Sequence, residues 1–147
     1  MSDSGQSEGV PGADAGGAGA GGGGVGGGGV AGGELVHHVE LWMDDLATAE
    51  RQWGPVLTAL GCEPFQNWEQ GRSWRRGGSY VVIEQSPALR AGGHDRLRAG
   101  INHLAVRGDR AAVLAVAAAA GWSVRTDTGQ AVHLTDSQGF ELEVVYG

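Results

Sequence analysis

No lysine occurs in this chain; all ten of its basic residues are arginine. That absence removes a Walker-type phosphate loop, a pyridoxal Schiff base and any lysine general base. Cysteine is almost missing too. Cys62 stands alone, so the chain can form neither an internal disulfide nor a thiolate metal cluster. It lies in Gly61-Cys62-Glu63-Pro64 with no histidine near it in sequence, and reads as a small, part-buried residue rather than a nucleophile. No apolar run is long enough to span a bilayer, and a basic start followed by an apolar core, as in a secretory signal, is lacking. The expectation is a cytoplasmic protein with no membrane partner. Positive charge is scarce as well: the net charge is −7, and Asp3, Glu8 and Asp14 carry three of those charges, leaving −4 beyond Gly33. Nucleic acid is not an expected partner.

Side chains themselves are scarce at the start. Sixteen of the 29 glycines fall in Met1–Gly33, a stretch with no Gly-X-Y period and hardly anything able to bury. It cannot offset the entropy of ordering and is expected to be a disordered tail. Its chance GxGxxG matches carry no meaning, since no strand precedes them and no helix follows. Residues 34–147 are left to form one domain.

That domain opens with Val36-His37-His38-Val39-Glu40-Leu41-Trp42. As a strand, it puts His38, Glu40 and Trp42 on one face and His37, Val39, Leu41 and Met43 on the other. The second face can bury; the first suits the wall of a site. Asp44-Asp45 offers an N-cap, and Leu46, Ala49, Trp53, Leu57 and Leu60 recur at helical spacing until Gly61, with Gly54-Pro55 expected to kink or divide the helix. Extended pieces follow near Glu63–Asn67, Arg72–Arg76 and Ser79–Gln85, separated by glycine turns. After an arginine- and glycine-rich linker, Ile101–Arg107 repeats the pattern of a histidine followed by alternating residues. Asp109 caps an alanine-rich helix expected to reach Ala120, its buried face shallow, and strands are expected at Trp122–Thr126, Ala131–Thr135 and Phe140–Tyr146. The order β-α-β-β-β occurs twice, which marks an internal duplication within an α+β domain. The modules are residues 34–86 and 100–147, joined by a linker at residues 87–99.

Two βαβββ modules that each begin on a histidine-bearing strand resemble the vicinal-oxygen-chelate superfamily, which includes glyoxalase I, extradiol dioxygenases and bleomycin-resistance proteins. The resemblance rests on His38-Val39-Glu40-Leu41 followed by Asp45-Leu46, on Ile101-Asn102-His103-Leu104-Ala105-Val106, and on Asp136-Ser137-Gln138-Gly139-Phe140-Glu141-Leu142-Glu143. The last run is similar to the family's Asp-Pro-Asp-Gly turn, with Ser137 and Gln138 in place of Pro and Asp. It implies an open, barrel-like cleft from two modules and a divalent metal held by His38, Glu84, His103 and Glu143. Zinc, nickel, cobalt, manganese and iron all suit two imidazoles and two carboxylates.

The implied chemistry is that of a glyoxalase-type lyase or isomerase acting on a small substrate with adjacent oxygens. Glu143 is the first choice of proton-transfer base and Glu84 the second. If Glu84 does not join, His38, His103 and Glu143 form the two-histidine, one-carboxylate triad of iron(II) dioxygenases. The alternative from another class is a non-catalytic protein that sequesters a small molecule or antibiotic, as bleomycin-resistance relatives do. Trp42, Trp74 and Tyr80 are expected to line the pocket, and Arg75 or Arg107 to hold an anionic substrate group. His37 is expected to turn away from the site, His94 and His133 are weaker candidates for substrate contact, and Trp53 and Trp122 are assigned to packing. A homodimer is implied by the resemblance.

Overall fold

The computed structural model describes residues 34–147; the glycine tail expected over residues 1–33 lies outside the described residues. His38–Trp42 is extended and forms β1. Leu41 and Met43 are buried, while His38, Glu40 and Trp42 are exposed, as the alternation requires. Asp45 then caps α1 (Leu46–Ala59), its carboxylate accepting from the Thr48 amide at 3.0 Å and the Thr48 hydroxyl at 2.9 Å.

α1 is not divided at Gly54-Pro55, against expectation: it runs unbroken through Pro55. Proline deprives the Arg51 carbonyl of its amide partner, but Arg51 and Pro55 both lie on the exposed side of the helix, where water can replace the lost bond. The opposite side buries Leu46, Ala49, Trp53, Val56 and Leu57. Gly61, at a φ of +79°, takes the left-handed conformation that ends the helix, and Gly121, at +89°, does the same after the second one.

The first module continues with β2 (Glu63–Trp68), β3 (Gly71–Arg76) and β4 (Ser79–Glu84). The second comprises β5 (Leu104–Arg107), α2 (Arg110–Ala117), β6 (Ser123–Asp127), β7 (Ala131–Thr135) and β8 (Glu141–Val145). β5 starts three residues later than expected. Asn102 instead donates to the Arg96 carbonyl at 2.8 Å, which ties that stretch to the linker. α2 also stops short of Ala120, the chain tightening into turns in which Trp122 donates to the Ala117 carbonyl.

Each module forms a four-stranded sheet, in the orders β1-β4-β3-β2 and β5-β8-β7-β6. The first and last strands of each module pair parallel and the others antiparallel. A parallel neighbour needs a crossover, which the helix supplies. Both helices and the inner faces of both sheets feed a single hydrophobic core.

Polar contacts lock the modules together. Trp53 Nε1 donates to the buried Asp136 carboxylate at 2.9 Å, and Trp122 Nε1 to the Gln52 carbonyl at 2.8 Å, with the two indoles meeting edge to face. Gln52, itself buried, donates to the Gly121 carbonyl and accepts from the Ser137 amide and hydroxyl. Gln138 accepts from the Asp45 amide and donates to its carbonyl. Ser137 and Gln138, the two departures from the family's turn, are thus the residues that dock the second module on α1. Replacing Gln52 by Ala removes three of these bonds and strands their partners. The expected cost is about 1–3 kcal/mol of unfolding free energy, read as a lower urea midpoint at unchanged m-value; an unchanged midpoint would show that the Gln52 side chain adds nothing to the joining of the modules.

Candidate functional site

In both modules the candidate ligand side chains lie on the sheet face away from the helices. On the first sheet, parallel pairing sets His38 beside Tyr80, Glu40 beside Val82 and Trp42 beside Glu84. The His38 ring stacks on Tyr80 with centroids 4.8 Å apart and planes 9° apart. Tyr80 in turn meets Phe65 edge to face, and Arg75 lies over the Phe65 ring at 4.9 Å. His37 is not turned away, as its parity predicts: its Nδ1 is 3.0 Å from His38 Nδ1, and its ring meets Tyr80. The strand begins at His38, so alternation does not constrain the residue before it.

Glu84 lies four residues along the strand from the position opposite His38, about 13 Å at the rise of a parallel strand. The two cannot share one ion. Glu84 instead neighbours Glu40, and its pKa is raised, chiefly by partial burial and secondarily by the Glu40 charge. Glu40 accepts from Trp42 Nε1 at 2.6 Å. Trp42 is 43% exposed and borders a pocket of about 200 Å³ with Asp44, Arg90, His94 and Phe140. His94 stacks on Phe140, and among the described residues its buried Nε2 has no hydrogen-bond partner. Trp74 is a core residue and not a pocket wall of this face: on β3, Ser73 and Arg75 pair with the outward Val82 and Tyr80, while Trp74 turns inward against Gly54 of α1. Arg107 stands at the edge of a different cavity, between the modules.

The second sheet gathers a denser cluster. Ala105 pairs with Glu143, which places His103 diagonally next to that carboxylate, Nε2 to Oε2 being 3.1 Å. His133 sits directly opposite Glu143 on β7, with its Nε2 3.8 Å from Oε1. Its other nitrogen, Nδ1, is 2.9 Å from Glu141 Oε1. Glu141 is buried and gripped by Arg125, through contacts of 2.6 and 2.9 Å, and by Arg96 at 3.4 Å. Hydrogen bonding from Arg125 is the main reason its carboxyl sits at about 2 instead of 4.5. Glu141, Arg125 and Arg96 were not singled out from the sequence. Parity carried a signal for two of the cluster: Glu141 shares a face with Glu143, and His133 alternates with the fully buried Val132 and Leu134.

The four residues implied as metal ligands therefore do not fit a single ion within the chain. Counting from the two histidines, the first-module counterpart of Glu143 is Val82, and that of Glu141 is Tyr80. Among the described residues, no three His, Cys, Asp or Glu side chains are grouped so as to hold a metal. Cys62 is half-buried and its thiol pKa is pushed up by burial, which agrees with a non-nucleophilic role.

A carboxylate with a depressed pKa stabilises the fold above its unfolded value and loses that contribution as pH falls through the folded one. Glu141 should make the domain lose stability between about pH 4.5 and about pH 2. Urea midpoints measured across that window are expected to fall less steeply for Glu141→Gln than for the wild type. Equal slopes would remove Glu141 as the source.

No family model matches the chain. The uncharacterized protein YqjT of Bacillus subtilis (strain 168) is 43% identical over 72 residues, a match that spans 48% of this chain and 56% of that one, about half the length of the relative. A candidate glyoxalase from Bacillus halodurans superposes with a TM-score of 0.65 at 27% identity, over 77% of this chain and 96% of its own. A glyoxalase/bleomycin resistance protein from Albidiferax ferrireducens T118 superposes with a TM-score of 0.64 at 15% identity, over 78% and 99%. The duplicated βαβββ order, the parallel first and last strands and these superpositions together make the described residues a domain of the vicinal-oxygen-chelate superfamily, the glyoxalase/bleomycin-resistance/dioxygenase group.

Proposed function

We propose that this chain is a small-molecule enzyme of the glyoxalase type, a lyase or isomerase that moves a proton at a carbon beside a carbonyl. One observation carries the reading: Glu143 is a part-exposed carboxylate on the outer face of β8, with two imidazoles converging on it. Glu143 is the base. It takes the proton from the carbon, and the electron pair of the broken C–H bond moves onto the carbonyl oxygen. His103, 3.1 Å from the carboxylate, stands where it can hold or pass on that proton. His133 is kept in place from behind by Glu141. Since His38 and Glu84 do not join this cluster, no step is assigned to a metal held by the four residues.

The substrate belongs to the class with adjacent oxygens, by likeness to the candidate glyoxalase of Bacillus halodurans. A homodimer fits this reading, because each outer sheet face carries only part of a lined cleft and a second copy would supply the facing wall. A second reading, non-catalytic binding of a small molecule, is favoured by the His38–Tyr80–Phe65 stack, whose aromatic rings offer contact area and no acid–base group matched to Glu143.

Solvent-deuterium exchange into a hemithioacetal or a 2-methyl-acyl thioester tests the enzyme reading. Glu143→Gln is expected to lower exchange by about 10²–10⁴-fold with the fold intact. Wild-type protein that binds such compounds tightly without exchange would favour sequestration. Glu84→Gln is expected to leave both metal content, by elemental analysis, and the shift of melting temperature on adding zinc or nickel as they are in the wild type. A loss of metal in that variant would restore Glu84 as a ligand.

A further inference from the structure

Between the helix side of the first sheet and β5 lies a cavity of about 270 Å³. Val39 and Val81 line it from the first sheet, Leu57 and Leu60 from α1, and Leu104 and Val106 from β5. Val39, which alternates with His38, lines it, as does the edge of Tyr80, whereas none of the ionic cluster of the second sheet does.

Its origin is the inequality of the two helices. α1 has 14 residues and presents large side chains along its whole length. α2 has eight, largely alanine and valine, of which Val113 and Ala117 are buried. The inner side of β5 is therefore left without a helix against it, and Leu104 and Val106 remain only partly covered. Close-packed interiors rarely leave such a gap, and apolar walls hold water poorly because each water needs two to four polar partners.

The edge of the cavity is charged. Arg76 and Arg107 both line it, and among the described residues neither forms an ion pair. Arg76 Nη1 donates to the Leu60 carbonyl at 2.7 Å, which fixes the guanidinium at the wall. Glu34 lies there too, with its carboxylate accepting from the Ser79 hydroxyl. Two guanidiniums against one carboxylate give the opening a positive balance.

We propose that this cavity is a second ligand site, for a medium-chain monocarboxylate whose hydrocarbon body lies among Leu57, Leu104 and Val106 and whose carboxylate pairs with Arg107 and Arg76. The site does not depend on the proton-transfer reading: none of His103, His133, Glu141 and Glu143 lines it. Arg107, expected from the sequence to hold an anionic group, does so here and not beside the candidate base.

Octanoate and octan-1-ol titrated into the full chain provide the test, with the Trp74 indole N–H and Arg107 Nε–H followed by NMR and the melting temperature recorded in parallel. Octanoate is expected to move both resonances saturably and to raise the melting temperature, and octanol to move Trp74 with weaker affinity. Arg107→Leu should lower octanoate affinity by about tenfold, to near that of octanol, and leave octanol binding unchanged. Val106→Phe, which fills the space, should abolish both. The proposal fails if neither compound shifts Trp74, if the shifts are confined to His103 and His133, or if Arg107→Leu binds octanoate as the wild type does. Because Arg107 is exposed, that variant remains informative even if Val106→Phe does not fold.

Discussion

The parallel pairing of first and last strands within each module decides which side chains can meet. A helix crosses from one to the other, so the two strands run together side by side and the register between them sets every diagonal neighbour. In the second module that register puts Glu143 across from Ala105, one diagonal step from His103. In the first, the equivalent position opposite Glu40 is Val82. The duplication has kept the histidine and the strand order in both copies, but the carboxylate that would complete the pair in only one. His38 consequently rests on Tyr80 and joins an aromatic run through Phe65 to Arg75, while His103 joins an ionic one. Two modules of one ancestry now offer different chemistry from corresponding faces.

This also explains what the sequence could and could not reveal. Alternation names the face a residue occupies, and it placed His38, Glu40 and Trp42 outward and Leu41 and Met43 inward, as observed. Both helices were legible from their aspartate caps and closing glycines. Register is another matter. Nothing in the periodicity of Ser79–Glu84 says which residue of β1 stands beside Glu84, because that depends on how two distant strands align. Trp74 was misplaced for a related reason: Arg72 and Arg76 share its inward face, and Arg75 the outward one, so charge gives no parity signal on β3. The inward arginines lie along the edges of α1, where Arg72 pairs with Glu50 and Arg76 reaches the Leu60 carbonyl.

The ionic cluster of the second module is built from the inside outward. Glu141 is a buried carboxylate, and a buried charge without partners would cost several kcal/mol. Arg125 and Arg96 satisfy it on one side, and His133 occupies the other. With Glu141 held ionised far into acid, the hydrogen bond to Nδ1 fixes the His133 ring so that Nε2 is directed at Glu143. The exposed pair that could meet a substrate is therefore anchored by groups that never leave the protein. Such support is of little use to a surface that only excludes water, and it is the strongest structural reason to read the second sheet as the chemical half of the domain.

The unequal helices connect this asymmetry to the rest of the fold. α1 reaches both modules, through Trp53 to Asp136 and Gln52 to Gly121 and Ser137. α2 is too short and too small in side-chain volume to reciprocate. One long helix holding two sheets fixes the modules at the end where Asp136 and Trp122 lie, and leaves the end near β5 less filled, which is where the apolar cavity opens. Asp136, its pKa raised chiefly by burial, accepts bonds from Trp53 and from the Gln138 and Phe140 amides, and so ties the start of β8 to α1. Glu143 lies three residues beyond Phe140 on that same anchored strand. The contact that joins the modules thus also sets the position of the proposed base, so loosening the Trp53–Asp136 bond would reach the outer face through β8 without touching any residue of the cluster.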